Sequence, residues 1–432
     1  MTLFFLLFVL VIIGYSFKNF KRAFFIFISI SILLNPGIAI KYSPPAITVS
    51  LALTLFFIVM FYFKKEQFKS QDKCFFGRAF ALMIASYTIS MFIAYFDGNK
   101  SALTYTINLL ASRFIIFYVL WRLLETSEDI RFLHKWLGFI FTAALAYGVY
   151  EFTTNSNPVL EYIESVIPEE FSANKLYLSD LENTNRGGRA RYQSLFYITI
   201  EYGMACLMYA FFLLQTKTVK SWVNRKKIIT IALFVLCFFA LWACNSKTPL
   251  VALPIFILPY FVKSFRNLVI ASTAFLVLSS LPIDYLALLN NVIDVSSLTG
   301  GSDEATGSTL DMRLIQLGVS LDAFRQAPIF GMGIRYASIL AEINPDLLGA
   351  ESCWFKLLIE QGAFGIIAFS YIIISFVREG LRIDEDRFTI SFYAIAFFVM
   401  CSITDIAYDV FFILFILMVK SKMLSSSAHN IR

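Results

Sequence analysis

The chain has 432 residues, of which 58% are apolar and 15% are charged; its net charge is +6 and its mean hydropathy is +0.71. Soluble domains are typically about 45–50% apolar and about 25% charged. This composition therefore excludes a soluble enzyme, a DNA-binding protein and a disordered chain. Six scattered cysteines and only two histidines, His134 and His429, argue against a zinc site.

Thirteen apolar runs are long enough, or nearly so, to cross a bilayer as helices, which takes about 20 residues. The first run lacks a basic start and a cleavage site, so we expect a retained helix rather than a signal peptide. The last two runs are either two helices or one broken helix. We therefore predict an all-α polytopic membrane protein with 12 to 14 transmembrane helices, 13 being favoured. The runs lie at about 2–16, 23–40, 45–63, 79–96, 103–121, 136–153, 193–215, 228–244, 248–262, 268–286, 353–377, 388–404 and 409–419.

Lysine and arginine concentrate in every second connection between these runs. The positive-inside rule assigns such connections to the cytoplasm. The N-terminus then lies outside and the C-terminus inside, which requires an odd number of spans and favours 13. The basic connections lie at 18–22, 64–73, 122–135, 217–227, 263–266 and 378–387, followed by the tail at 420–422.

Two connections on the outer side are much longer than the others. The first begins with Asn157-Pro158, a good helix start, and we expect a short helix on the membrane surface there. In the second, we expect a helix at about 309–326, closed by Pro328, and then a turn at Gly331-Met332-Gly333. The predicted organisation is membrane helices at 1–153, an outer loop at 154–192, central helices at 193–286, a second outer loop at 287–352, and C-terminal helices with a cytoplasmic tail at 353–432.

These outer loops contain arginines, although the positive-inside rule predicts few cations on that side. The planar guanidinium group suits phosphate and pyrophosphate and stays charged at any working pH. We therefore expect an outer site for a lipid-linked pyrophosphate; the alternative is a solvated loop balanced by its acidic residues. The arginines are Arg186, Arg189, Arg191, Arg313, Arg325 and Arg335.

Several charges lie inside or at the mouth of apolar runs, where charges are costly and usually functional. Glu351, at the outer mouth of the run 353–377, is either a base for a sugar hydroxyl or a plain helix-start acid. Arg113 and Glu201 either pair with each other, or Arg113 meets a lipid phosphate. Lys356 and Glu360 are four residues apart, and we expect them to form a local pair.

Four sequence blocks around the outer loops follow a recognisable order and spacing. They are Arg191-Tyr192-Gln193-Ser194-Leu195-Phe196, Asn245-Ser246-Lys247-Thr248-Pro249-Leu250, Arg313…Pro328-Ile329-Phe330-Gly331-Met332-Gly333, and Ala350-Glu351-Ser352…Glu360-Gln361-Gly362-Ala363-Phe364-Gly365. Together they resemble the signature region of the bacterial O-antigen polymerase and O-antigen ligase superfamily. The second block has Lys247 where that family usually has arginine. The likeness covers roughly residues 185–370.

The resemblance implies an inverting, metal-independent glycosyltransferase of the C type that needs no cofactor. Its donor would be a glycan on undecaprenyl pyrophosphate, used on the periplasmic face of the bacterial inner membrane. Lipid-linked oligosaccharides and membrane lipids are the implied partners, with a chain-length regulator as a further candidate and no nucleic acid. The candidate catalytic residues are Glu351, Arg191 and Arg313, and the candidate substrate-binding residues are Arg189, Arg335 and Arg113.

Two other functions stay open. In ligases of this superfamily a histidine usually occupies the position of Glu351, which favours an O-antigen polymerase over a ligase acting on lipid A-core. An exporter of lipid-linked oligosaccharide is less favoured, because the sequence shows no internal repeat and its unusual charges lie on one side.

Overall fold

The computed structural model describes residues 2–34, 38–41, 47–68, 73–166, 191–215, 227–261, 310–344, 352–383, 388–405 and 408–429. Helices make up most of this part of the chain. In chain order they are α1 (Thr2–Lys18), α2 (Phe20–Ile30), α3 (Val49–Lys64), α4 (Gly77–Phe96), α5 (Ser101–Leu123), α6 (Ser127–Thr154), α7 (Pro158–Val166), α8 (Thr199–Gln215), α9 (Lys227–Ala243), α10 (Lys247–Phe261), α11 (Leu310–Gln326), α12 (Tyr336–Ile343), α13 (Cys353–Ile383), α14 (Thr389–Ile403) and α15 (Tyr408–His429).

Four of these helices, α4, α5, α6 and α13, are long and apolar enough to cross a membrane. Shorter apolar helices occur within α1, α8, α9, α10 and α14. The prediction of a helical, multi-pass membrane protein is therefore confirmed. The count of 13 spans stays a prediction, since the run at 268–286 lies outside the described residues.

The predicted span at 23–40 is wrong in its second half. Helix α2 ends at Ile30, and a single 3-10 turn follows to Leu33. Beyond it, β1 (Ala39–Lys41) pairs antiparallel with β2 (Ile47–Thr48), a small departure from the all-α expectation. The sequence explains the early end, because Pro36 cannot continue the hydrogen bonding of a helix.

The last two apolar runs form two helices that lie side by side. The rings of Phe397 in α14 and Phe411 in α15 stack with centroids 3.9 Å apart. Phe398 also contacts Phe411, at 5.5 Å. In one continuous helix, residues 14 positions apart would be separated by roughly 21 Å, at a rise of about 1.5 Å per residue. The two runs therefore do not form one continuous helix.

Helix α13 holds the neighbouring elements in place. It packs against α4, α11, α12 and α14, and α14 packs in turn against α10. Its Phe376 is fully buried and contacts rings of α15, including Phe411 and Phe415. Elements from both halves of the sequence therefore meet along α13.

The predicted glycine turn is present, and it docks against a break in α13. Gly362 has φ 61° and ψ −152°, which interrupts the helix. The N–H of Met332 donates to the carbonyl of Ile359 at 2.8 Å. The N–H of Gly333 donates to the carbonyl of Glu360 at 3.2 Å. Backbone groups inside a membrane need hydrogen-bond partners from the protein itself. The N–H groups of the turn supply such partners to the carbonyl groups at the break in α13.

Glycine is required on both sides of this contact. Gly331 and Gly362 both have positive φ, 72° and 61°. A Cβ on Gly362 would lie 2.7 Å from the backbone nitrogen of Gly331 and 2.8 Å from the carbonyl oxygen of Pro328. The P-x-x-G-x-G block thus serves as a docking element, with its N–H groups directed to α13.

We predict that Gly362→Ala and Gly331→Ala each destabilise the fold, by on the order of 2 kcal/mol, through the forced φ and the steric clash. The measurement is thermal unfolding of the detergent-purified protein. Gly318→Ala in α11 is the matched control, because a Cβ there meets nothing within 4 Å; it should stabilise the helix slightly. Equal unfolding temperatures for all three variants would contradict this account.

Candidate functional site

The four residues at 402–405, where α14 ends, form a meeting point of separate parts of the chain; we call them the 402–405 segment. The indole N–H of Trp354, at the start of α13, donates to Ser402 Oγ at 2.7 Å. Thr248, at the start of α10, has its hydroxyl 3.2 Å from that of Thr404. The start of α13 and the Ser-Lys-Thr-Pro turn, far apart in sequence, are thereby brought to one place.

Helix α11 approaches the same segment with its polar side. Gln316 and Ser320 are fully buried on one stripe, and Arg313 lies one turn earlier on that stripe. The Arg313 guanidinium donates to the carbonyl of Ile403 at 3.2 Å. The exposed side carries Leu314, Ile315 and Leu321.

Asp405 is the acid at the centre of the 402–405 segment. Its Oδ2 lies 3.6 Å from Lys356 Nζ and 4.0 Å from Arg113 Nη1. The hydroxyl of Tyr408 donates to its Oδ1 at 2.7 Å. Burial opposes ionisation of Asp405, but the charges of Lys356 and Arg113 outweigh it and hold the pKa of this carboxyl below its usual range. Asp405 is therefore an anion that faces two cations.

Arg113 occupies a widened turn of α5. Residues Ala111–Ile115 form a π-helical turn, a rare conformation that is frequent at functional sites. The guanidinium lies 4.7 Å from the ring centroid of Tyr408. The ion-pair partner of Arg113 is Asp405. The alternative that Arg113 pairs with Glu201 is therefore wrong. Glu201 is still close enough for the charge of Arg113 to act on it.

Lys356 and Glu360 do not form the contact ion pair expected from their spacing, although the charge of Lys356 still acts on the Glu360 carboxylate. The Glu360 side chain is buried, and neither of its carboxylate oxygens has a hydrogen-bond partner among the described residues. Lys356 points to Asp405, and its Nζ also donates to the hydroxyl of Tyr105 at 3.4 Å. A tertiary partner has replaced the neighbour one turn along the helix.

Arg335 is a further cation close to Lys356. Its guanidinium lies 5.8 Å from the ring centroid of Tyr105, and its Nη1 donates to Ser101 Oγ at 2.8 Å. Lys356 Nζ lies 6.0 Å from the same ring. Tyr105 therefore contacts both cations, and Arg335 joins the group around Asp405 through it.

The two ends of the first outer loop are held together by a buried network. Asn157 Nδ2 donates to Glu151 Oε1 and to the carbonyl of Ser194, both at 2.9 Å. The N–H of Ser194 donates to Glu151 Oε2 at 2.6 Å. Since Glu151 and Asn157 precede the loop and Ser194 follows it, the network fixes where the chain re-enters the helical bundle.

This network positions Arg191, three residues before Ser194. The N–H of Tyr192 donates to the carbonyl of Ala243 at 3.2 Å, so the chain runs beside the end of α9. The charge of Arg191 acts on Cys244, which begins the turn leading to Thr248. Arg191 thus lies beside the turn whose other end touches the 402–405 segment.

Other predicted site residues lie outside the described part of the chain. These include the candidate base Glu351 and the candidate ligand Arg189, together with Arg186. The residue after Glu351, Ser352, is buried and accepts from the backbone N–H of Trp354 at 3.3 Å. Position 351 therefore borders a residue that contacts Trp354, itself bonded to the 402–405 segment.

Arg325 is placed differently from the other arginines of α11 and α12. It is 77% exposed and pairs with Asp322 at 2.9 Å on the helix surface. An exposed pair of this kind contributes little to stability. Arg325 accordingly fits the solvated alternative.

A small cavity lies beside the ion pairs of Asp405. Arg113, Lys356, Asp405, Tyr87 and Tyr408 supply its polar lining. The cations therefore face one another and Asp405 across this cavity.

Sequence reasoning missed Asp405, although a signal was present. The stretch Thr404-Asp405-Ile406-Ala407-Tyr408-Asp409 places two acids between apolar runs. Charges in or beside apolar runs are costly and usually functional. These two acids therefore carried the same kind of signal as Arg113 and Glu201. No comparable feature of the sequence indicates that Tyr105 contacts Lys356 and Arg335.

Comparison with known proteins supports the family resemblance. A family model described as O-antigen ligase matches residues 232–370. That range includes α10, α11, α12 and the first half of α13, and so most of the elements that meet at the 402–405 segment. A search of curated proteins found no match to this chain.

Proposed function

We propose, on the premise that residues 232–370 match the O-antigen ligase family, that this protein is a glycosyltransferase on the periplasmic face of the bacterial inner membrane. It acts as an O-antigen polymerase that moves a growing glycan from undecaprenyl pyrophosphate to a second lipid-linked repeat unit. The observation that carries the proposal is the convergence of Arg113, Arg313 and Lys356 on the 402–405 segment.

A leaving diphosphate explains why cations gather there. Arg113, inside an apolar run, and Lys356, near the start of α13, lie where charges are costly and usually functional. Together with Arg313, these cations come from α5, α11 and α13, which are separate in sequence. Guanidinium and ammonium groups at one place stabilise the charge that develops on a departing diphosphate.

The mechanism assigns roles to the residues that the resemblance selects. Arg191 and Arg313 hold the diphosphate and stabilise its charge as the bond to the anomeric carbon breaks. Glu351 accepts the proton of the acceptor hydroxyl, whose oxygen attacks from the opposite face and inverts the anomeric centre. Arg113 and Arg335 bind the same substrate, a role supported by their connection through Asp405, Lys356 and Tyr105. Arg189 is a further binding residue.

Glu351 favours a polymerase over a ligase. Ligases of the superfamily usually have a histidine at this position, and a carboxylate there can accept a proton from a hydroxyl just as well. The proposed acceptor is therefore a second lipid-linked repeat unit and not lipid A-core.

The direct test is a reaction of the purified protein with defined lipid-linked repeat units. We predict products of two and more units without any other acceptor, because the donor already carries its leaving group. A parallel reaction supplies lipid A-core. Products that appear only with lipid A-core would replace the polymerase by a ligase, and no transfer in either reaction would contradict a glycosyltransferase.

We predict that Glu351→Gln lowers the rate of transfer by at least about 100-fold, because the amide cannot accept the proton. Binding of undecaprenyl pyrophosphate should be unchanged. The measurements are initial rates and ligand affinity on one preparation. Glu342→Gln, which changes an exposed acid of α12, is the control and should retain the full rate. A normal rate for Glu351→Gln removes the proposed base.

A further inference from the structure

We propose that Asp405 is a positioning residue: it holds Lys356 and Arg113 in place before the donor binds, and then gives both cations up to the diphosphate. This inference rests on the proposed function and adds Lys356 to the residues that bind the diphosphate. Asp405 thereby acts as an internal anion that the substrate displaces.

The contact distances suit a bond that can be exchanged. Charge-assisted hydrogen bonds between nitrogen and a carboxylate are about 2.7–2.9 Å long. Lys356 Nζ and Arg113 Nη1 lie 3.6 and 4.0 Å from Asp405 Oδ2. Both cations are therefore attracted to Asp405 without being clamped by it. The short bond of Asp405, 2.7 Å, is the one it accepts from Tyr408.

Tyrosine side chains provide each cation with a second contact. Arg113 lies over the ring of Tyr408 at 4.7 Å, and Lys356 Nζ donates to the hydroxyl of Tyr105 at 3.4 Å. A cation over the face of a tyrosine ring is attracted to it. When the carboxylate is displaced, these tyrosines keep the two cations near their positions.

The cations are also more accessible than the acid. The side chains of Arg113 and Lys356 are 31% and 26% exposed, whereas that of Asp405 is 16% exposed. All three line the same small cavity. The two cations are therefore more exposed to an entering anion than the carboxylate is.

The negative charge of Asp405 has opposite effects on the empty site and on donor binding. Without donor, two cations in a membrane protein need counter-charges, and Asp405 is the acid in ion-pair contact with both. With donor bound, a carboxylate beside a diphosphate repels it, because like charges in a low dielectric interact strongly. Asp405 therefore stabilises the empty site and opposes donor binding.

The test is Asp405→Asn, in which the amide oxygen can still accept from Tyr408. We expect the Kd for undecaprenyl pyrophosphate and the KM for the donor to fall by about tenfold, while kcat does not rise. Asp322→Asn, which removes the exposed acid paired with Arg325, is the matched control and should change neither constant. A purely structural Asp405 would instead lower kcat and protein yield without tightening binding.

An Asp405→Asn variant with unchanged or weaker binding overturns the inference. If that variant does not fold, the affinity of Lys356→Met for undecaprenyl pyrophosphate is measured instead. Binding that is weakened at least about tenfold, and that Lys356→Arg restores, supports the inference. Normal binding by Lys356→Met overturns it.

The wild-type protein separates the two proposals. Failure of the wild type to bind undecaprenyl pyrophosphate or to elongate glycan refutes the proposed function, whereas normal elongation with an unchanged KM in Asp405→Asn refutes only the role of Asp405.

Discussion

The ion pairs of Asp405 with Lys356 and Arg113 connect the parts of this protein that matter most for its chemistry. Each cation comes from a helix long enough to cross the membrane, where an uncompensated charge is costly. The carboxylate therefore attracts the cations of α5 and α13 to the end of α14. Arg313 reaches the same end through a backbone carbonyl. One anion and the end of one helix thus gather cations from distant parts of the sequence.

A second constraint is that an interrupted membrane helix must find new hydrogen-bond partners. The break at Gly362 finds them in the turn after Pro328, which docks tightly only because glycine occupies both sides. This docking fixes the course of the chain from α11 to α12 and so the position of Arg335. The most conspicuous glycine motif in the sequence therefore positions the site rather than binding a ligand itself.

The sequence predicted what depends on local properties. Apolar length located α4, α5, α6 and α13, and turn residues located the end of α11, because each signal lies within the element itself. Spacing along one helix predicted a contact pair of Lys356 with Glu360, but the contact partner of Lys356 is Asp405, from another part of the chain. The position of Asp405 between two apolar runs was a sequence signal, but its partners come from other helices and could not be predicted from it. The roles of Glu351 and Arg189 stay predictions, as both lie outside the described residues.

The most direct measurement is the affinity of the purified protein for undecaprenyl pyrophosphate in the wild type and in Arg191→Ala and Arg313→Ala. If these cations bind the diphosphate, each substitution weakens binding by at least about tenfold, which is about 1.4 kcal/mol. Arg325→Ala, which removes an arginine paired on the surface, should bind as the wild type does. Wild-type affinity in both Arg191→Ala and Arg313→Ala would contradict a diphosphate site at the 402–405 segment.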